Sequence, residues 1–314
     1  MTAAFSHEPV MLAEIMDVFD ALDQGVFLDA TLGGAGHSCP LLVAHPHIRL
    51  LGIDQDTQAL TASTQVLTEA GVSGRATLRH ARFDAVATIV QQEGLGSLAG
   101  ALFDLGVSSH QFDVSDRGFS YRFDAPLDMR MDQSRALSAH DVVNQFSREQ
   151  LITLLRNNAD ERFAVRIADA IIASRPISST TQLAEVVVAA IPAPARRRGG
   201  HPAKRTFQAI RIEVNAELQI LALALRDVID LLQPGARLAV LSYHSGEDRI
   251  VKEVMRTAES GNCTCPTGLP CGCGAVRSVR RVRVARTASK AEQTRNSRST
   301  SARLRVVEKI ETGL

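Results

Sequence analysis

Three acidic residues, Asp29, Asp54 and Asp104, each close a short apolar run. The first opens the string Asp29-Ala30-Thr31-Leu32-Gly33-Gly34-Ala35-Gly36-His37. Glycines placed there let the backbone approach a ligand closely and turn amide groups towards it at a helix N-terminus. Asp54 lies in Gly52-Ile53-Asp54-Gln55-Asp56, and a carboxylate ending a second strand can accept both ribose hydroxyls of an adenosine. A lone glycine turn would mean only a tight bend, with Asp54 as a helix cap. An acid in register at the next strand end favours a nucleotide-type site. A dinucleotide fingerprint running through Gly34-Ala35-Gly36 would need Gly or Ala where Cys39 stands. Asp29 would repel a pyrophosphate and suits a cationic ligand. The ammonium and sulfonium of S-adenosylmethionine meet that demand, so a methyl donor is expected in preference to a nicotinamide dinucleotide.

Asp104 begins Asp104-Leu105-Gly106-Val107-Ser108-Ser109-His110-Gln111. Beyond a fourth strand this stretch faces the crevice where α/β sheets bind ligands. Asp104 could take a hydrogen bond from the adenine amine or from the acceptor base, although an ordinary strand-to-loop turn would look the same. Four of the five cysteines, Cys263, Cys265, Cys271 and Cys273, fall in one loop with Pro266, Gly268 and Pro270. Clustered thiols of this kind suggest tetrahedral zinc. The Cys-x-Cys spacing is tighter than the usual knuckle, and uncoordinated or redox-sensitive thiols are the alternative.

These residues need a scaffold. Gly25–Ala30, Arg49–Asp54, Ala76–His80 and Gly100–Leu105 read as buried strands alternating with helices, which implies βαβ units and a parallel sheet. From about Asp113 to Arg211 no further strand is expected. Helices dominate there, at Ser138–Phe146, Arg148–Asn157, Glu161–Ala173 and Thr181–Ala190. An amphipathic helix over Asn215–Leu232, stopped by Pro234-Gly235, precedes a strand at Arg237–Tyr243 and a closing one at Leu304–Ile310. The fold class expected is α/β: a Rossmann-like sheet, mostly parallel and doubly wound, with an inserted all-helical domain, the form that the family resemblance given below implies for a methyltransferase. Residues 1–112 and 212–314 would build the sheet domain and 113–211 the insert.

A chain of 314 residues, 45% hydrophobic and 22% charged, is ordinary for a soluble globular protein. No signal-peptide pattern and no membrane-spanning run is read, so the expectation is cytoplasmic, with reduced thiols. The net charge of +1 hides a basic stretch from Arg277 to Lys309 in which only Glu292 and Glu308 are acidic. Such asymmetry points to a polyanionic partner or to a solvated tail. The strand-like close favours a folded basic surface.

Taken in order, His7–Leu12, Asp29–His37, Gly52–Asp56, Asp104–Gln111, Arg117-Gly118-Phe119-Ser120, Pro126–Asp132, His201–Arg211, Ser242–Arg249 and Ala302–Arg305 closely resemble the ribosomal RNA small-subunit methyltransferase H, or MraW, family. The resemblance runs nearly end to end. It implies methyl transfer from S-adenosylmethionine to N4 of a cytidine in the decoding region of small-subunit ribosomal RNA. It places the donor on Gly34, Ala35, Gly36, His37, Asp54, Phe83, Asp104 and Gln111, with Phe83 beside the adenine. A core role for Phe83 would otherwise be preferred. The chain departs from the family's pattern where Ala35 replaces a glycine, at Asn158–Arg162, at Asn296-Ser297-Arg298 and at Gly246. The last bears on how His244 and Glu247 are positioned.

A cytosine amine is a poor nucleophile because its lone pair is delocalised. Accepting its hydrogens and aligning it with the sulfonium methyl is the help a protein can give, and alignment is worth about 7–11 kcal/mol in favourable cases. Asp104, Ser108 and Ser109 are the catalytic candidates, with His110 and His244 as alternatives. Contacts to RNA are expected from Arg117, Lys204, Arg205, His244, Arg298 and Arg303. Arg130 and Arg211 are expected in ion pairs with Asp128, Asp132 or Glu213. The partner would be small-subunit RNA in the assembled or assembling particle, and a homodimer is left open. A nicotinamide-dependent oxidoreductase and a non-catalytic assembly factor are the competing classes.

Overall fold

The computed structural model describes residues 9–106, 117–197, 200–266 and 272–311. They contain seven strands: β1 (Gly25–Asp29), β2 (Ile48–Asp54), β3 (Ala76–His80), β4 (Leu98–Asp104), β5 (Leu232–Ser242), β6 (Val279–Arg281) and β7 (Arg303–Lys309). They form one sheet in the order β3-β2-β1-β4-β5-β7-β6. The first five strands pair in parallel, and β7 runs antiparallel to both β5 and β6. The chain steps outward from β1 through β2 to β3, then returns to the other side of β1 as β4. That reversal opens a crevice at the carboxyl ends of β1 and β4.

Alternation along the strands explains why both faces are covered. On β1, Val26 and Leu28 enter one core and Phe27 the other; on β4, Ala101 and Phe103 oppose Leu102; on β5, Leu238 and Val240 oppose Ala239 and Leu241. Apolar side chains on both sides leave no face for water, so helices must pack on each, which is the doubly wound arrangement. One core takes Leu221, Leu225 and Val228 from the helix Glu217–Leu231. The other takes Ile15 and Phe19 from the first helical segment with Leu41 and Leu42.

By its internal contacts the chain forms two compact units, residues 1–106 with 220–314, and residues 107–219. Among its described residues the second unit is helical. Its helices Ala139–Gln145 and Arg148–Ala159 start at Ser138 and Ser147, each closing a reciprocal capping box with Asp141 and Gln150. Phe119, Leu127, Met129, Val142, Leu151, Ile167, Leu183, Phe207 and Ile210 share its core.

Several elements differ from expectation. The helix Lys204–Asn215 was not anticipated. The helix expected from Asn215 begins at Glu217, because Ala216 sits left-handed at φ 56° and ends the preceding one. β5 starts at Leu232 and carries Pro234-Gly235 within it, so the helix stops before that dipeptide. β6 is a three-residue edge strand, too short to show a period.

Candidate active site

The sheet brings the ends of β1, β2, β4 and β5 side by side: Asp29 pairs with Gly52 and Leu102, and Asp104 pairs with Leu241. Asp29 is buried, and its carboxylate accepts hydrogen bonds from Ser38 Oγ at 2.5 Å and Thr31 N at 3.1 Å. It therefore faces inward, with both oxygens engaged by the protein. Asp54 ties the glycine loop to the second strand, accepting from Gly33 N at 2.8 Å and Asp56 N at 2.9 Å. A carboxylate has about four acceptor positions, so two remain for hydroxyl groups.

Asp104 is held from two sides. Tyr243 donates its hydroxyl hydrogen to Oδ1 at 2.6 Å, and His37 Nδ1 lies 3.6 Å from Oδ2. The other ring nitrogen of His37 donates to the Val10 carbonyl at 2.9 Å. Arg298 is near enough for its charge to draw the Asp104 pKa down. Burial nevertheless dominates: it pushes Asp29 and Asp54 up to about 6 and raises Asp104 as well, with hydrogen bonds and the His37 ring pulling some of that back. Three carboxylates this close, each paying for desolvation, make a site that favours a cation.

The glycine loop is tight. Gly33 is left-handed at φ 52°, and so is Ala35 at φ 58°, whose methyl group is buried where a glycine would be less strained. Gly36 is exposed, and a side chain there would meet Pro9 Cγ at 2.7 Å. Gly34 is half-buried beside it. Phe83 follows β3, is 8% exposed and packs edge-on to Phe103 at 5.7 Å. Ser108, Ser109 and Gln111 lie outside the described residues.

Tyr243 was not anticipated. Its only sequence signal is its place just after a buried strand, and its role depends on β5 lying against β4. His244 was expected at RNA. Instead its Nδ1 accepts from Gly246 N and Glu247 N, and Glu247 accepts in return from Tyr243 N and His244 N. His244 thus caps the helix Ser245–Ser260, and Gly246 does not disturb that arrangement.

Arg117 was also expected to reach RNA. It is 3% exposed and donates to the carbonyls of Arg130 and Met131 at 2.8 and 2.9 Å, so packing has turned it inward. Lys204 and Arg205 are exposed at the start of their helix, with Arg205 donating to the Asp160 carbonyl. Arg303 is exposed and Arg298 half-buried. Arg130 pairs with Asp128 through two hydrogen bonds; Arg211 pairs with Glu217, not Glu213, because the chain turn at Ala216 brings Glu217 back to it. In the cysteine loop, the sulfurs of Cys263, Cys265 and Cys273 lie within 4.8 Å of one another; Cys271 lies outside the described residues. Among the described residues no helix is long and apolar enough to cross a membrane.

Residues 4–310 match the MraW methylase family. A protein of Symbiobacterium thermophilum named ribosomal RNA small subunit methyltransferase H is 48% identical, over 99% of this chain and 98% of its own. Proteins of the same name from Frankia casuarinae and Heliobacterium modesticaldum are 49% and 44% identical. They cover 90% and 98% of this chain, and 89% and 99% of their own lengths. With an α/β sheet whose strand-end acids meet a glycine loop, and relatives this close along nearly its whole length, the chain belongs to the MraW methylase family.

Proposed function

We propose that this protein transfers a methyl group from S-adenosylmethionine to N4 of a cytidine in small-subunit ribosomal RNA, in the cytoplasm. The observation that carries the donor is the meeting of Asp29, Asp54 and Asp104 at the switch point of the sheet, under the left-handed loop at Gly33 and Ala35. Burial raises all three acids, so a cation bound there relieves a cost already present in the fold. S-adenosylmethionine supplies that cation and an electrophilic methyl group. The acceptor is supported by the names of the relatives.

Asp54 takes the ribose hydroxyls with the oxygen lone pairs that Gly33 and Asp56 leave. Gly34, Ala35, Gly36 and His37 line the methionine end and Phe83 the adenine, and Gln111 enters the donor pocket on the family resemblance alone. Asp104, fixed by Tyr243 and His37, accepts a hydrogen of the cytosine amine and turns its nitrogen lone pair out of the ring. Ser108 and Ser109, a few positions further along the chain, are the other catalytic candidates. The amine attacks the methyl carbon as the sulfur–carbon bond breaks, the pair stays on sulfur, and the nitrogen then releases its proton. The target base must leave its stack to reach such a site. The sheet domain, 1–112 with 212–314, carries this chemistry and offers Arg298 and Arg303 to phosphate; the helical insert 113–211 offers Lys204 and Arg205.

The substrate is RNA in the assembled or assembling small subunit, and the acting species is a monomer or a homodimer. Zinc in the cysteine loop completes the cofactors.

The test is transfer of labelled methyl from S-adenosylmethionine to small subunits taken from cells lacking this protein. Labelled N4-methylcytidine in the digested RNA is the expected product. Label at another atom, or donor binding with no transfer, would overturn the reading.

A further inference from the structure

The sulfurs of Cys263 and Cys273 are 3.7 Å apart, far beyond the roughly 2.05 Å of a disulfide. Zinc binds thiolate at about 2.3 Å, and a tetrahedron with that bond length sets its corners about 3.8 Å apart. The pair therefore already has the spacing of two ligands on one ion. Cys265 lies within 4.8 Å of both and accepts a backbone hydrogen bond from Gly272 at 3.3 Å. Backbone N–H donors to sulfur stabilise the thiolate form that a metal requires.

The loop that carries these cysteines is pinned at its mouth. The helix Ser245–Ser260 ends at Gly261, left-handed at φ 62°, whose N–H returns to the Thr257 carbonyl. A side chain on Gly261 would lie 2.5 Å from the Val276 carbonyl oxygen, so the two ends of the loop touch backbone to backbone. Ser278 N donates to the Ala258 carbonyl at 3.0 Å one step further out. Directly after this mouth the chain becomes β6 and then a run of arginines.

That run is only partly neutralised. Arg280 pairs with Glu308, and Arg281 with Glu259. Arg277, Arg283 and Arg286 are exposed and make no ion pair among the described residues. Val276, next to Arg277, is 63% exposed. Three uncompensated guanidinium groups beside a short edge strand suit a phosphate backbone by charge. β6 pairs with β7 through three residues.

We infer that Cys263, Cys265 and Cys273 bind one zinc ion that clamps this loop, and that the clamp holds the arginines after it in place against RNA phosphates. This rests on the RNA-directed reading above but concerns a surface separate from the donor pocket. Binding exchanges the three thiol protons for the metal. The fourth corner of the tetrahedron falls to water or to a ligand outside the described residues.

The experiment measures metal, RNA and donor on the same full-length protein. Purified without added metal, the chain should hold one zinc per molecule, and cobalt exchanged into the site should give the intense near-ultraviolet absorption of thiolate coordination. Cys263→Ser and Cys273→Ser should each lose the metal. Zinc removed by a chelator and then restored avoids dependence on a variant that folds poorly. Its removal should weaken binding to an RNA fragment on the order of tenfold at low salt, and lower the salt slope by about 2 to 3. Affinity for S-adenosylmethionine should not move.

Protein that holds no zinc and takes up none overturns the proposal, as does a mass two hydrogens lighter, which would mark a disulfide. Zinc whose removal leaves RNA affinity unchanged overturns the clamp, and so does a switch of this surface to anionic vesicles over RNA. Failure of the untreated protein to bind the donor would instead strike the methyl-transfer reading and leave the metal count standing.

Discussion

Tyr243, at the end of β5, donates its hydroxyl hydrogen to Asp104, at the end of β4, across 2.6 Å. Burial and the neighbouring carboxylate raise the phenol far above its usual value, so it remains a donor throughout the working range. Removing that donor leaves Asp104 with its charge but without its orientation. Tyr243→Phe is expected to lower turnover roughly 10–100-fold, the range for a hydrogen bond to a charged group of about 1.5–3 kcal/mol. Donor affinity should change much less. Single-turnover transfer with saturating donor separates the two, and unchanged turnover would remove Tyr243 from the site.

Asp54, at the end of β2, holds the glycine loop through Gly33 N. Asp54→Ala should weaken S-adenosylmethionine roughly 10–100-fold. Calorimetry with S-adenosylhomocysteine should show a similar loss, because the ribose is common to both ligands. A loss confined to the sulfonium form would place Asp54 elsewhere.

Acidity offers a second check. Asp29 and Asp54 stand at about 6 in the folded chain against an ordinary 3.8. Folding therefore takes up protons between those values, and their contribution to stability falls as pH rises from 3.8 to 6, then levels. The wild-type protein minus Asp54→Asn, followed by urea unfolding across that window, should show this downward slope. An upward slope would mean that the carboxyl is stabilised as an anion.

The same protons compete with a cationic ligand. Affinity for S-adenosylmethionine should fall as pH drops below about 6, and affinity for the uncharged-sulfur product should fall less. Equal pH profiles for the two ligands would remove the electrostatic argument.

Gly118 tests the helical unit alone. It is left-handed at φ 71°, and a side chain there would meet the Pro126 carbonyl oxygen at 2.3 Å and Asp128 N at 3.1 Å. Gly118→Ala should destabilise by about 2–3 kcal/mol or more. Denaturant unfolding with no change in midpoint would show that this loop can yield.

Much of the sheet could be read because its strands are buried on both faces and end in acids, as at Asp29, Asp54 and Asp104. Local order was enough there. Tyr243 could not be read, because its partner is brought to it by strand pairing and not by nearby sequence. Arg117 was expected at RNA phosphates, whereas the carbonyls that capture it, on Arg130 and Met131, arrive by tertiary packing. His244 is an uncommon helix cap, so residue preference pointed away from the role it has. Arg211 chose Glu217 over nearer Glu213 because a single left-handed residue, Ala216, redirects the chain.

The helical insert also sets a timetable for assembly. Tyr243 and Asp104 are 139 positions apart, and a ribosome adding roughly 5–20 residues per second needs on the order of ten seconds to cover that span. Through that interval β4 waits as an open edge, its hydrogen-bonding groups exposed to any passing strand. The newborn sheet is thus most vulnerable to aggregation in mid-synthesis, and chaperone occupancy on translating chains should peak after β4 emerges and fall once β5 is released.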